Sequence, residues 1–407
     1  MDECPHRKVP LSEGRVEDDG SLLCSYHAFR FNGEGELIDV PQVPASEVDA
    51  IRQNPRSQCN SFPAQVINGV LWVWPETGSD ARIESALKKP ASYELPEDID
   101  QSRVWTGAWN FRELPYSADY FIENVVDGAH VEVSHHNIVG SRYNVQKTKC
   151  TKQGKLTKEG FSTMTKRGED SPGGICTFHA PVLVTQRANI DEDGAFQTLE
   201  LYSSPSRPGF CNHVGRMVIV KPPSGEMPKL LRQFTLPLPT WLNHVMAALF
   251  LNQDGVFLHY QERNLAKKGS YISYKDGTSE QQDFVRQMLP VETDQGVINF
   301  RTWLRKFGGG FIPYKNGLEL PPVDTDICFD QYKSHTSKCK VCQTALANLK
   351  KGRLAAFAVS VCLAVLRPAP KNIFNLFGVL TTAGIGLGIN KLIGMFYRYE
   401  FSHGHND

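Results

Sequence analysis

Neither sign of charge dominates this chain. Its 407 residues carry 44 Lys and Arg against 44 Asp and Glu, so no global field draws it towards nucleic acid. Apolar runs of spanning length are also missing, because residues 354–366 and 373–389 each fall short of the ~20 apolar residues a transmembrane helix needs. The ten cysteines are dispersed rather than arrayed as in a small secreted scaffold. Two sets are close, Cys4 with Cys24 and Cys339 with Cys342, a usage that suits metal or redox chemistry in a reducing compartment. No signal or transit peptide precedes Cys4, so the start of the chain says little about location. What is present is enough length for two or three domains and a sizeable core.

Residues 123–136 read ENVVDGAHVEVSHH, with three histidines close to Asn124 and Asp127. Two imidazoles and one carboxylate hold mononuclear iron(II) while leaving positions open to oxygen. His130 and His135 could supply the imidazoles, with Asp127 as a ligand or as a partner to one. A surface helix with unrelated histidines fits the same letters. At about 100° per residue, the two rings would diverge by roughly 140° on a straight helix. Helical order must therefore end or widen between them, and Gly128, Val131 and Val133 are places for it to weaken.

Nearer the N-terminus, Cys4 and His6 form a C-x-H pair, and Cys24 and His27 a C-x-x-H pair. A turn-rich stretch from Glu17 to Gly20 separates them, Pro5 and Pro10 stiffen the first loop, and Leu22, Leu23, Phe29 and Phe31 read as short strands carrying the second. Such pairs bind zinc or a cluster. In a Rieske [2Fe–2S] centre two cysteines hold one iron and two histidines the other. C-x-H is unusual for a zinc knuckle, which favours the cluster.

These residues carry a resemblance. CPHRKVPLSEGR from Cys4, followed by C-x-x-H, resembles the Rieske domain of the plant-type oxygenases that act on chlorophyll-derived tetrapyrroles. That group includes the pheophorbide a oxygenase, TIC 55-like and protochlorophyllide oxygenase-like proteins. The likeness extends through Pro41 and Pro44 to VLWVWPE at residues 70–76. Such domains carry more strand before the first cluster cysteine, so an N-terminally truncated Rieske domain is expected. The pattern N-x-x-D-x-x-H-x4-H at Asn124, Asp127, His130 and His135 matches the iron segment of the group. The resemblance implies that Cys4, His6, Cys24 and His27 hold the [2Fe–2S] cluster and that His130 and His135 ligate iron. Asp127 is then the electron bridge to a cluster in a neighbouring subunit. A late QD-x-x-FL-x-x-Q run at Gln253, Asp254, Phe257, Leu258 and Gln261 implies Asp254 as the third ligand.

Residues 77–102 are polar and punctuated by prolines, as expected of a linker. From 147 to 222 alternating stretches such as TFHAPVLVTQ and HVGRMVIVKPP read as antiparallel strands, with His179 and His213 as strand residues. Pro237 and Pro239 then close that region, and Thr240 is a plausible N-cap for a long helix bearing Asp254, with His244 and His259 flanking it where they could line the pocket. Gly255 is an odd mid-helix residue unless the backbone opens there. Tyr271, Tyr274, Phe300, Trp303 and Phe307 make an aromatic-rich stretch suited mainly to a core.

The tail is basic before it is apolar: six Lys or Arg and no acidic residue lie between Lys333 and Arg353. Within it, Cys339-x-x-Cys342 is compatible with thiol redox chemistry or half a zinc site. The same motif occurs in the resembled group, where redox sensing is the usual suggestion. Two tilted helices or a hairpin in one leaflet are expected beyond it, with the basic run on the positive side.

The expected architecture is α+β: an all-β Rieske domain at 1–90, a helix-grip catalytic domain at 103–330, a basic C-x-x-C segment at 331–353 and a membrane hairpin at 354–396. The resemblance implies a ferredoxin-dependent Rieske non-haem iron oxygenase on a plastid membrane, envelope or thylakoid, assembled as a homotrimer without nucleic acid. Its substrate would be a chlorophyll-derived tetrapyrrole, as for pheophorbide a oxygenase. Hydroxylation of a related tetrapyrrole is the alternative, towards which the HH-x3-G-x-R run from His135 to Arg142 leans. A membrane redox sensor or translocon component without oxygenase activity is a reading of another class.

Overall fold

The computed structural model describes residues 2–169, 171–190, 194–227, 231–232, 235–267, 288–309, 319–365 and 373–405. Tyr271, Tyr274 and the segment 367–371 lie outside the described residues. The chain forms two compact units, Met1–Ser92 and Tyr93–Asp407.

In the first unit, β1 (Arg15–Val16), β2 (Leu22–Leu23), β3 (Arg30–Phe31) and β4 (Leu37–Asp39) make a four-stranded antiparallel sheet in chain order. A separate hairpin pairs β5 (Ala64–Ile67) with β6 (Val70–Val73). Cys4, Cys24, Phe31, Leu37 and Val40 form its small core. Helix α1 (Ala45–Arg52) follows Pro44, and α2 (Ser79–Leu87) occupies much of the stretch expected to be linker. Ala81 is its buried residue, and Arg82 reaches the carboxylate of Glu34 at 3.3 Å.

The second unit is an α+β body built on one eight-stranded sheet. Its order is β7 (Val104–Thr106), β14 (Phe210–Val220), β13 (Phe196–Arg207), β12 (Leu183–Asn189), β11 (Gly174–His179), β10 (Gly160–Arg167) and β9 (Thr148–Thr157). Strand β8 (Asn110–Leu114) also pairs with β14, so one long strand serves two short partners. Every pairing is antiparallel. Because side chains alternate across a pleat, one face carries the apolar set: Phe161, Phe178, Val184 and Cys211 pack with the helices.

Three helices fill that face: α3 (Ala118–Val126), α5 (Thr240–Lys267) and α6 (Gln295–Lys306). All of α3 except Asn124 is buried. Phe121, Val125, Leu258, Phe300 and Trp303 complete the core, each full burial of such a side chain being worth ~1.5–3 kcal/mol. Charge is buried here too. Arg301 of α6 sits between Asp119, 3.9 Å away, and Glu123, both on α3. This ties α6 to the helix that leads into the histidines.

Two expectations about helices are corrected. Order does not break between His130 and His135. Instead α3 ends at Val126, and a four-residue helix, α4 (Val131–Ser134), stands between the two histidines, which cap its ends. At Gly255 the backbone does not open, for α5 runs unbroken through 28 residues.

At the C-terminus, α7 (Gln331–Ser334) precedes two long helices, α8 (Lys340–Val365) and α9 (Ile373–Met395). They pack antiparallel, with Arg353 bonded to Asn390 at 2.6 Å and Ser360 Oγ donating to the carbonyl of Val379 at 3.0 Å. Gly386 permits the close approach, since a Cβ there would lie 2.8 Å from the Phe357 ring. Both helices outrun the apolar stretches visible in the sequence. Residues Leu376–Met395 of α9 are long and apolar enough to cross a membrane.

Candidate metal centres

The two N-terminal ligand loops are copies of one backbone device. The Cys4 N–H donates to Val9 O at 2.7 Å, and its carbonyl accepts from Lys8 N at 2.8 Å. The Cys24 N–H donates to Phe29 O, and its carbonyl accepts from Ala28 N, both at 2.9 Å. Lys8 (φ 60°) and Ala28 (φ 56°) stand four residues after their cysteines in the same left-handed turn. Both cysteines are buried; burial, and then the neighbouring Cys24, pushes the Cys4 thiol up. The His6 ring lies 4.7 Å from that of His27 and stacks on Phe29 at 4.5 Å. His6 is exposed and His27 half-buried. A buried thiol pair below an outer imidazole pair fits the donor set of a Rieske cluster, with sulfur on the inner iron and nitrogen on the outer one.

In the second unit, His130 and His135 from either end of α4 meet Asp254 of α5. One atom from each, all within 4.8 Å of one another, converges on a shared point. His130 Nε2 lies 3.7 Å and His135 Nε2 3.2 Å from Asp254 Oδ2. Each ring is oriented through its other nitrogen. His130 Nδ1 lies 2.6 Å from the Asp127 carbonyl, and His135 Nδ1 lies 2.8 Å from Gln253 Oε1. Both partners accept, so in the neutral rings the Nε2 lone pairs face the carboxylate. His135 Nε2 is buried and makes no hydrogen bond of good geometry. Three acceptors aimed at one place need a cation, so the residues fit an iron ion held by two imidazoles and one carboxylate.

The three groups are also strongly coupled electrostatically. Burial resists ionisation of Asp254, but the adjacent His130 and His135 outweigh it and hold the carboxyl well below the usual range. Burial likewise opposes charge on His130, yet Asp254 and Asp127 push its pKa up. Asn124 Nδ2 donates to Asp254 Oδ2 at 2.9 Å, fixing the carboxylate from the side of α3. Phe250, one turn before Asp254, stacks on His135 at 3.6 Å and covers its ring.

Asp127 caps α3, and its Oδ1 accepts from the Ala129 N–H at 2.9 Å. Its side chain is partly open to solvent, beside a cleft of about 470 Å³ lined by Asn124, Leu258 and Gln261. It therefore touches the metal site only through His130. His136, outside the histidine pattern, is buried, and its Nδ1 accepts the Arg142 N–H at 3.1 Å. Gly140 lets that loop close on α4, where a Cβ would lie 2.5 Å from the Glu132 backbone.

Residues 1–63 match the family described as the Rieske [2Fe-2S] domain, and residues 178–271, which include Asp254, match the one described as pheophorbide a oxygenase. The chain belongs to the Rieske oxygenase group. It is 26% identical over 429 residues to flavonoid 8-hydroxylase 2, chloroplastic, of Ocimum basilicum, covering 100% of this chain and 77% of that relative. It is 27% identical over 433 residues to pheophorbide a oxygenase, chloroplastic, of Oryza sativa subsp. japonica, with the same coverage of 100% and 77%. In fold it is similar to dicamba monooxygenase, with a TM-score of 0.51, 16% identity, and coverage of 75% of this chain and 85% of that one. Membership makes it a Rieske non-haem iron enzyme whose cofactors are a [2Fe–2S] cluster and mononuclear iron.

The strand histidines stay outside both centres. His213 Nδ1 lies 3.1 Å from the Tyr202 carbonyl, and His179 Nε2 lies 3.2 Å from Thr185 Oγ1. His259, a candidate pocket residue by sequence, binds Pro115 O and the Asp324 N–H as a structural bridge. His244 does not line the iron site either. It meets His335, Cys339 and Cys342, a gathering the sequence left unread.

Proposed function

We propose that this chain is a ferredoxin-dependent oxygenase that inserts oxygen into a chlorophyll-derived tetrapyrrole, in the manner of the pheophorbide a oxygenases. Cys4, His6, Cys24 and His27 would hold the cluster, and His130, His135 and Asp254 the iron. The observation that carries this reading is the convergence of two imidazole lone pairs and one buried carboxylate on a single point. Iron held by three protein donors supplies open positions for oxygen and one-electron chemistry to activate it. The chain's own residues do the positioning. Asp127 and Gln253 fix the two rings, Asn124 fixes Asp254, and Phe250 keeps water from the face of His135.

Asp127 would act as a positioning residue between the iron and the cluster of an adjacent copy in a homotrimer. Its half-open carboxylate and its link to His130 support that role. The exposed apolar residues of α9, among them Phe377, Leu380 and Leu387, support anchoring in a plastid membrane, and the chloroplast relatives support the compartment. A second substrate reading is a flavonoid, favoured by the likeness of this whole chain to 77% of a flavonoid 8-hydroxylase. Hydroxylation of a tetrapyrrole without ring opening is favoured by the HH-x3-G-x-R run from His135 to Arg142.

Oxygen uptake by iron-loaded, full-length protein with reduced ferredoxin tests these readings against pheophorbide a, protochlorophyllide and flavones. We expect tetrapyrrole-stimulated uptake and a product heavier by incorporated oxygen. Stimulation by flavones alone would establish the second reading, and none by either class would overturn both. Asp254→Ala should lose mononuclear iron while keeping the cluster spectrum. Retained iron would mean that another carboxylate is the ligand.

A further inference from the structure

We propose that His244, His335, Cys339 and Cys342 form a closed tetrahedral zinc site that fastens the C-terminal hairpin to α5. Their donor atoms all lie within 4.8 Å of one another. His335 Nε2 is 3.1 Å from His244 Nδ1 and 3.3 Å from Cys342 Sγ. His244 Nδ1 is 3.4 Å from Cys342 Sγ and 3.6 Å from Cys339 Sγ. Tetrahedral zinc, with bonds of ~2.0–2.1 Å to nitrogen and ~2.3 Å to sulfur, places its donors roughly 3.3–3.8 Å apart. These four separations are close to those edges with no ion imposed on them.

Hydrogen bonding at the far side of each ring strengthens the case. His244 Nε2 lies 3.0 Å from the Trp109 carbonyl, and His335 Nδ1 contacts the Phe111 carbonyl. A carbonyl can only accept, so in neutral rings those nitrogens carry the hydrogens and the facing nitrogens present lone pairs. Two lone pairs 3.1 Å apart repel, and thiol hydrogens are weak donors with which to relieve them. A cation between the rings and two thiolates turns that repulsion into coordination. The two carbonyls then orient the ligands, as outer partners of zinc-bound histidines do. Two thiolates also cancel the charge of a divalent ion, so the filled site brings no net charge into a buried place.

The donor set separates this site from other uses of the same residues. A binuclear cluster would hold its sulfur and nitrogen pairs apart on two irons, whereas here nitrogen and sulfur are as close as nitrogen and nitrogen. A thiol redox pair needs no imidazoles aimed at it. With four protein ligands and no open position, the site is structural rather than catalytic. Its ligands come from the second turn of α5, the residue after α7 and the start of α8. Around it, Trp241, Val245, Leu346, Ile393 and Phe396 form an apolar cluster joining α5, α8 and the C-terminal end of α9.

Full-length protein purified under reducing conditions should hold one zinc per chain beside its iron. Zinc-edge X-ray absorption should report two sulfur and two nitrogen neighbours. Cobalt(II) supplied during expression should give thiolate charge-transfer absorption and the visible bands of a tetrahedral ion. Cys342→Ser should lose both zinc and cobalt signals. Asp254→Ala should keep the zinc while losing iron, which separates this inference from the oxygenase reading. Substoichiometric zinc from zinc-supplemented cells, iron in its place, or a Cys339–Cys342 disulfide in freshly prepared protein would overturn it. If Cys342→Ser fails to fold, X-ray absorption on the unaltered protein decides alone.

Discussion

At one end of this chain Cys4, His6, Cys24 and His27 come from two short loops with the same hydrogen-bonded backbone. At the other, His244, His335, Cys339 and Cys342 come from three separate elements, with ring-orienting carbonyls from the segment at Trp109 and Phe111. The donor count is the same, two thiols and two imidazoles. The first set is prepared by local turns; the second exists only once α5, α7 and α8 are packed. Composition therefore does not decide between a binuclear cluster and a single ion. Arrangement does.

That contrast can be broken experimentally. The largest effect should follow Cys24→Ser, which removes a proposed cluster donor: cluster absorption and turnover should vanish while zinc content stays unchanged. Loss of zinc as well would mean that the two sets are not built independently. Next comes Arg301→Ala, which leaves Asp119 and Glu123 buried without their cation and should cost about 3–5 kcal/mol. Thermal melts should show zinc released together with the second unit at a lower temperature, and the cluster bleaching where it did before.

A smaller effect should appear with pH. Burial raises the Glu262 carboxyl from 4.5 to about 6, against the hydrogen bond from Ser117 and the charge of Arg263. Because the folded value is the higher one, its contribution to stability is complete below pH 4.5 and lost as pH rises through about 6. Glu262→Gln should therefore gain on the unaltered protein across that window by about 2 kcal/mol, measured by denaturant melts of the second unit. A pH-independent difference would refute the assignment. The smallest change tests the local set. Ala28→Gly relieves a left-handed residue and should raise the cluster's bleaching temperature by an amount equivalent to about 1 kcal/mol, leaving zinc release where it was.

Legibility in the sequence followed the same division. The loop donors could be read because each cysteine has its histidine within three residues, and His130 and His135 because they share one short segment. Asp254 lies more than a hundred residues from them, and only a family pattern pointed to it. Neither His244, expected beside the iron, nor His335 was tied to this set, for 91 residues separate them. One usable signal was present: His335, Cys339 and Cys342 already place three donors within eight residues. The position of the break was also hidden, since helical order fails at Val126, before His130, and a single turn survives between the rings. At Gly255 a glycine suggested an opening that tertiary packing overrides, as buried neighbours on α5 hold it helical.

Helix α5 carries both His244 and Asp254, ten residues apart on one unbroken rod. At 1.5 Å of rise per residue, the two positions are separated by about 15 Å along its axis. The helix thus works as a built-in ruler between the iron proposed at Asp254 and the zinc proposed at His244. With cobalt in one position and iron in the other, the magnetic coupling between the two spins would report the metal–metal distance that this rise helps to set. A bend in the rod on substrate entry would register as a change in it.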